Sequence, residues 1–200
     1  MFGRSVYNGN GVGSIEANKV LRELESMKVF IMRHGEAGTF AHSDAERTLT
    51  DRGESQSRQV AQAVVEQGVS QFDLVLVSPY IRAQQTWDCI SSNFTTGSVE
   101  TSDDITPYGQ ADDVYQYVCA LAETRNLDSV LLVSHLPLVG YLTAEFVDDM
   151  SAPMFPTSGF AAVDLISKSA PVLSNGTSLL KYLLPAACGR FSFPFYQHLM

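Results

Sequence analysis

Residues Val29-Phe30-Ile31-Met32 form an unbroken apolar run that stops abruptly at Arg33-His34-Gly35-Glu36. A run this short, with β-branched and aromatic members, reads as a strand buried on both faces, as at the centre of a parallel sheet. In an open α/β sheet, ligands bind in the crevice beyond the carboxyl ends of the strands. A guanidinium, an imidazole and a glycine are thus delivered together to the working end of the sheet. The guanidinium is a planar fork suited to phosphate oxygens. A neutral imidazole is a nucleophile. Gly35 reads as a residue that lets the backbone turn where a Cβ would not.

The same punctuation recurs twice. Asp73 to Val77 (DLVLV) is a second buried strand, followed by Ser78-Pro79-Tyr80-Ile81-Arg82. Ser129 to Val133 (SVLLV) is another, followed by Ser134-His135-Leu136-Pro137. Between them the helical period returns. Thr50 is a good N-cap with Glu54 as its capping-box partner, and Val60, Ala61, Val64 and Val65 recur at helical spacing as far as Gly68. Pro79 fits a helix start, with Trp87 and Ile90 in the core. A short strand is expected over 98–100, helices over 111–124 and 138–146, a proline-bearing loop over 150–156, and strands over 160–166 and 177–184. This alternation predicts an α/β, three-layer αβα fold with a mainly parallel central sheet, as a single compact domain over residues 27–184. Residues 1–26 are expected to be a flexible N-terminal extension. Gly9, Gly11 and Gly13 within it follow no strand and so do not make a dinucleotide loop. Residues 185–200 form a C-terminal tail with no assigned structure.

Each of the three strong strands ends in basic side chains: Arg33 with His34, then Arg82, then His135. The chain carries 22 acidic against 13 Lys and Arg residues, for a formal charge of −9, which disfavours nucleic acid and anionic membrane as partners. A site for an anion must therefore be built locally, from a few aimed side chains. An anion held between two guanidiniums and two imidazoles explains why they crowd one end of one sheet. No apolar run approaches the ~20 residues of a membrane span, and no secretory signal is expected. Three cysteines, none in a CxxC pair, argue against a disulfide scaffold or zinc site and for a reducing, cytoplasmic setting.

RHGE, then SPYIRAQQT, then VSHLP, in that order and each at a strand end, resemble the histidine phosphatase superfamily in its phosphoglycerate-mutase-like branch. The resemblance spans roughly residues 27–166 and is strongest to the small bacterial phosphohistidine phosphatases. It implies that His34 is the nucleophile that accepts a phosphoryl group, while Arg33, Arg82 and His135 bind its oxygens. It also implies an arginine near the pocket at Arg47, for which a surface role is the competing reading. Two arginines and a second imidazole compensate the charge of phosphoryl transfer, so neither metal nor cofactor is expected.

Many relatives supply a carboxylic acid from the segment between the second arginine and the second histidine. Here that segment offers Glu100, Asp103 and Asp104, with Asp104 the least poor acid and a solvated carboxylate the competing reading. Expelling an alkoxide needs strong acid help; expelling imidazole needs much less. The implied function is a protein phosphohistidine phosphatase acting as a monomer on a phosphotransfer domain or phosphocarrier protein. The alternatives are a phosphatase of small phosphomonoesters and a non-catalytic module that binds phosphorylated partners. Glu36 is read as orienting Arg33 or His34, or as a solvated carboxylate; Ser78 and Ser134 as helix caps; His42 and His198 as bystanders.

Overall fold

The computed structural model describes residues 26–147, 149–166 and 179–184. Six strands form one sheet in the order β3-β2-β4-β1-β5-β6. They are β1 (Ser26–Arg33), β2 (Gln71–Val77), β3 (Thr95–Thr101), β4 (Ser129–Ser134), β5 (Phe160–Ile166) and β6 (Leu179–Leu184). β1, β2, β3 and β4 run parallel; β5 is added antiparallel beside β1, and β6 pairs antiparallel with β5. The mainly parallel sheet is as expected, and β1 begins one residue before the expected domain start. The expected N-terminal extension, apart from Ser26, and the C-terminal tail lie outside the described residues.

Alternation along the strands builds two cores. Phe30, Met32, Val75, Val77, Leu131 and Val133 face one side. They pack against Val60, Ala61 and Val64 of helix α1 (Asp51–Glu66) and Ala83, Trp87 and Ile90 of helix α2 (Ile81–Ile90). Val29, Ile31, Leu74, Leu76, Val130 and Leu132 face the other. They meet Val114 and Val118 of helix α3 (Ala111–Arg125) and Leu138, Val139, Leu142 and Phe146 of helix α4 (Leu138–Phe146). These central strands read as continuous apolar runs because both faces are covered. At the amino end of the sheet, Asp73 Oδ2 accepts from the backbone N–H of Asp128 and Ser129 and from Ser129 Oγ, which ties β4 to β2.

Two local expectations change. Helix α2 starts at Ile81 after Tyr80, not at Pro79. Thr50 does cap α1, accepting from Gly53 N–H at 3.0 Å. Glu54 lies one position too far along to close a capping box and instead pairs with Arg58 at 2.6 Å.

Candidate active site

Strand register sets the site. β1 and β4 lie side by side with Arg33 opposite Ser134, so His34 and His135 are both the first residue beyond the sheet. His34 N–H donates to the Ser134 carbonyl at 2.9 Å, and the two ring centroids are 4.9 Å apart. On the other flank of β4, Val77 is level with Val133. The chain then turns through Ser78, Pro79 and Tyr80 into α2, whose second residue is Arg82. Arg82 is 4% exposed, and its Nε donates to His34 Nε2 at 3.2 Å. The sheet thus brings Arg33, His34, Arg82 and His135 together from three strand ends.

The hydrogen bonds of His34 fix its tautomer. A carbonyl only accepts, so Nδ1 donates to Gly35 O at 2.6 Å. A guanidinium only donates, so Nε2 offers a lone pair to Arg82. The neutral form is enforced electrostatically. Burial first, and then the charges of Arg82, Arg33 and Arg47, hold the His34 pKa down at about 4, against an opposing bond to Gly35. Gly35 is needed for close approach, not for an unusual turn. A Cβ there would lie 2.8 Å from both Gly53 O and Ser57 Oγ, on the first turns of α1. Its N–H donates to Thr86 Oγ1 at 3.0 Å, and the His34 carbonyl accepts from Ser158 N–H at 3.0 Å. Ser158 holds a left-handed φ of 57°, and its hydroxyl pairs with that of Ser57 at 2.9 Å.

His135 is 1% exposed, and its Nε2 lies 2.7 Å from Ser78 Oγ, also buried. Its Nδ1 has no partner. Burial, then the neighbouring His34 and Arg82, push its pKa down to about 2. The Tyr80 ring packs against His135 at 4.9 Å and under the Arg82 guanidinium at 4.8 Å. Arg33 anchors one end, Nη1 donating to Phe155 O at 2.7 Å, while its buried Nε is unpartnered. Among the described residues, only Arg33 Nε and His135 Nδ1 are buried side-chain polar atoms without a hydrogen bond. Buried polar groups are nearly always paired. Two orphans in one cationic cluster mark a place for a ligand's oxygens.

The loop after β1 contributes differently. Arg47 is held within its own loop by two hydrogen bonds. Its Nε donates to Gly38 O at 2.7 Å and its Nη1 to Asp44 Oδ1 at 2.9 Å, though its charge still reaches His34. Asp44 sits in a 3-10 turn, Asp44–Glu46. Its Oδ2 accepts from Arg82 Nη2 at 2.8 Å and its backbone carbonyl from Arg82 Nη1.

Glu36 touches neither Arg33 nor His34. It accepts from Thr50 Oγ1 at 3.0 Å and pairs with Arg52 at 3.4 Å, so it secures the start of α1. Ser78 caps no helix, being engaged with His135, and Ser134 Oγ donates to Ile105 O at 2.8 Å. Asp104 is exposed, with its carboxylate near Ser102 Oγ at 3.4 Å, and Glu100 pairs with Arg125 at 2.5 Å. His42 is exposed on the loop, and His198 lies outside the described residues. Sequence reasoning missed Asp44, Thr86 and the partnership of Ser78 with His135. Two spacings carried a signal: Asp44 three residues before Arg47, and Thr86 one turn after Arg82.

A mainly parallel sheet between helices, whose strand ends gather two neutral imidazoles and two guanidiniums with two buried nitrogens unpaired, defines a phosphate-handling α/β protein. Comparison with known proteins agrees. The histidine phosphatase superfamily (branch 1) matches residues 29–109. Over 143 residues the chain is 44% identical to phosphohistidine phosphatase SixA of Escherichia coli (strain K12), covering 70% of this chain and 86% of that protein. It is 35% identical over 164 residues to the SixA homolog of Haemophilus influenzae, covering 78% and 99%. The solved structure of the protein histidine phosphatase SixA complexed with tungstate superposes with a TM-score of 0.71 at 39% identity, over 80% of this chain and 97% of that one. The chain belongs to the histidine phosphatase superfamily.

Proposed function

We propose that this chain is a protein phosphohistidine phosphatase in which His34 carries the phosphoryl group. The observation that carries the reading is the state of His34: neutral, with Nδ1 tied to Gly35 and the Nε2 lone pair facing a cluster that holds the unpaired Arg33 Nε and His135 Nδ1. In the first step, Nε2 attacks phosphorus in line, the bond from phosphorus to the substrate's imidazole nitrogen breaks, and that nitrogen takes a proton from solvent. In the second, water attacks phosphorus, the bond to Nε2 breaks, and inorganic phosphate leaves with His34 neutral again. Arg33 Nε, His135 Nδ1 and the Arg82 fork serve the equatorial oxygens, whose spread charge is what catalysis of this reaction must stabilise. His135 donates from Nδ1 when the Ser78 hydroxyl donates to its Nε2. Arg47 acts by charge at longer range.

Two features favour a protein-borne phosphohistidine over a phosphomonoester. Among the described residues the carboxyl group bonded into the cluster is that of Asp44, which its arginines keep ionised, and an imidazole leaving group tolerates the lack of a proton-donating acid where an alkoxide does not. Between Arg82 and His135 the chain is spent mostly on α2, β3, short 3-10 turns, α3 and β4, with little left over for a lid. A cleft of about 550 Å³ is lined by Tyr108, Gln110, Pro137 and Tyr141, of which Pro137 follows His135 by two positions in the chain. The relatives named phosphohistidine phosphatase support the same substrate class. We assign the activity to residues 27–184 acting as a monomer. We place it in the cytoplasm, in keeping with the free thiols of Cys89 and Cys119. No helix among the described residues is long and apolar enough to cross a membrane.

The test is a side-by-side assay of phosphate release from a phosphohistidine-bearing phosphotransfer domain and from small phosphomonoesters. The reading expects the protein substrate to be preferred in kcat/KM. Efficient cleavage of small monoesters with the phosphohistidine protein untouched would overturn the substrate class.

A further inference from the structure

Among the described residues, Asp44 is the one acidic side chain hydrogen-bonded into the cationic cluster, and it binds two arginines, Arg82 and Arg47. Oδ2 accepts from Arg82 Nη2 at 2.8 Å and Oδ1 from Arg47 Nη1 at 2.9 Å, while its backbone carbonyl takes Arg82 Nη1. With Arg82 Nε on His34 Nε2, all three nitrogens of that guanidinium are engaged without any ligand. The two partners are unequal in setting. The Arg82 side chain is 4% exposed, whereas that of Asp44 is 45% exposed and rides on a three-residue 3-10 turn with no buried residue. One partner is fixed, and the other stands on the surface where a small backbone movement releases it.

A carboxylate spread over two arginines has the shape and charge of two oxygens of a bound phosphoryl group. We propose that Asp44 is an internal counter-anion of this site. Its carboxylate holds Arg82 and Arg47 until a phosphoryl group displaces it, and so it sets how weakly free anions, including the phosphate product, are retained. This rests on the phosphoryl-transfer reading above and adds a selectivity residue to it.

The role follows from competition. A free oxyanion that takes the Nη2 and Nε donors of Arg82 must displace Asp44 Oδ2 from the first and His34 Nε2 from the second. An anion delivered on a docked protein has additional contacts to draw on; free phosphate has none. The carboxylate remains charged at neutral pH, because hydrogen bonds first from Arg47 and also from Arg82 outweigh its modest burial and keep its pKa below the usual value. Asp44 does not serve as a proton donor for the same reason.

The experiment measures dissociation constants of inorganic phosphate and of tungstate for the full chain, for Asp44→Asn and for Asp44→Ala. Asn keeps the shape and one acceptor oxygen but removes the charge. The expected result is that both anions bind both variants about tenfold more tightly than the wild type, the scale of one lost charge-assisted competitor. Product inhibition by phosphate should deepen by the same factor. A residue that merely braced Arg82 would have the opposite signature, with weaker anion binding and a raised KM in both variants. Equal or weaker binding in correctly folded variants, checked by thermal unfolding, overturns the counter-anion role. If neither the wild type nor the variants bind either anion, the phosphoryl-pocket reading falls too; if the wild type binds and the variants bind no more tightly, the counter-anion role falls alone.

Discussion

Two regions supply the charges around His34, and they are held in different ways. The strand-end region, Arg33-His34 and Ser134-His135, is positioned by backbone register between two buried strands and by the 2.9 Å bond from His34 N–H to Ser134 O. The loop region, Asp44 to Arg47, is positioned by side chains gripping one another on a 3-10 turn without buried residues. The first cannot move without disturbing the sheet. The second can change partners at the expense of partly exposed hydrogen bonds. On the proposed mechanism, the chemistry that must be aimed at an atom sits in the first region, and the charges proposed to adjust anion affinity sit in the second.

If that division holds, the largest effect should come from the side chain that joins the two regions. Arg82→Lys keeps the charge but loses the fork that reaches His34 and Asp44 together. Turnover of a phosphohistidine protein should fall about 10²–10³-fold, the usual loss for one preorganised donor. A drop of only a fewfold would mean that charge alone suffices there.

Next comes the protonation of His34. Its folded pKa of about 4 lies below the ordinary value of 6.5. Above pH 6.5 both folded and unfolded His34 are neutral, and the group's contribution is fully present. As pH falls through the window down to about 4, the unfolded chain takes up the proton and the folded one does not, so stability is lost. The loss should total about 3 kcal/mol from this residue. Urea unfolding at pH 7.5 and 4.5 should show most of this loss for the wild type together with that of His135, whose pKa is lowered as well, and His34→Gln should remove the His34 part and leave the rest. The His34 ring resonances should stay unshifted from pH 8 to 5.

A smaller effect is expected at Ser78. Removing its hydroxyl leaves the buried His135 Nε2 without its 2.7 Å partner. Ser78→Ala should lower kcat about tenfold with little change in KM, because an unpaired buried nitrogen costs about 1–3 kcal/mol and leaves His135 free to turn. The smallest effect belongs to Arg47, which is tied to Gly38 and Asp44. Arg47→Ala should change kcat/KM by less than about fivefold, in line with a partly exposed ion pair. A larger loss would promote the loop to the same rank as the strand ends.

The two regions also differ in how far the amino-acid sequence discloses them. Val29 to Met32, Leu74 to Val77 and Val130 to Val133 are apolar throughout because helices cover both faces of the sheet, and that pattern alone places His34, His135 and the turn before Arg82. Register between strands is not written in any one of them, so the pairing of His34 with Ser134 and of Ser78 with His135 had to come from the fold. Serines beside helix starts look like caps in sequence; only the buried contacts of Ser78 and Ser134 reveal other work. Glu36 reads as a neighbour of the motif, yet its partners, Thr50 and Arg52, are brought to it by the start of α1. Asp44 lies in a polar stretch with no periodicity to single it out, and its meaning depends on an arginine 38 positions away. The antiparallel addition of β5 is likewise a matter of pairing with β1, which composition does not encode.

The central claim is that His34 Nε2 takes the phosphoryl group. Brief reaction with a small-molecule phosphodonor, an alkaline quench and mass-spectrometric mapping tests it directly. The account predicts an acid-labile, alkali-stable phosphoryl group on His34, absent from His34→Ala. A label on His135, on a serine, or retained in full by His34→Ala would contradict it.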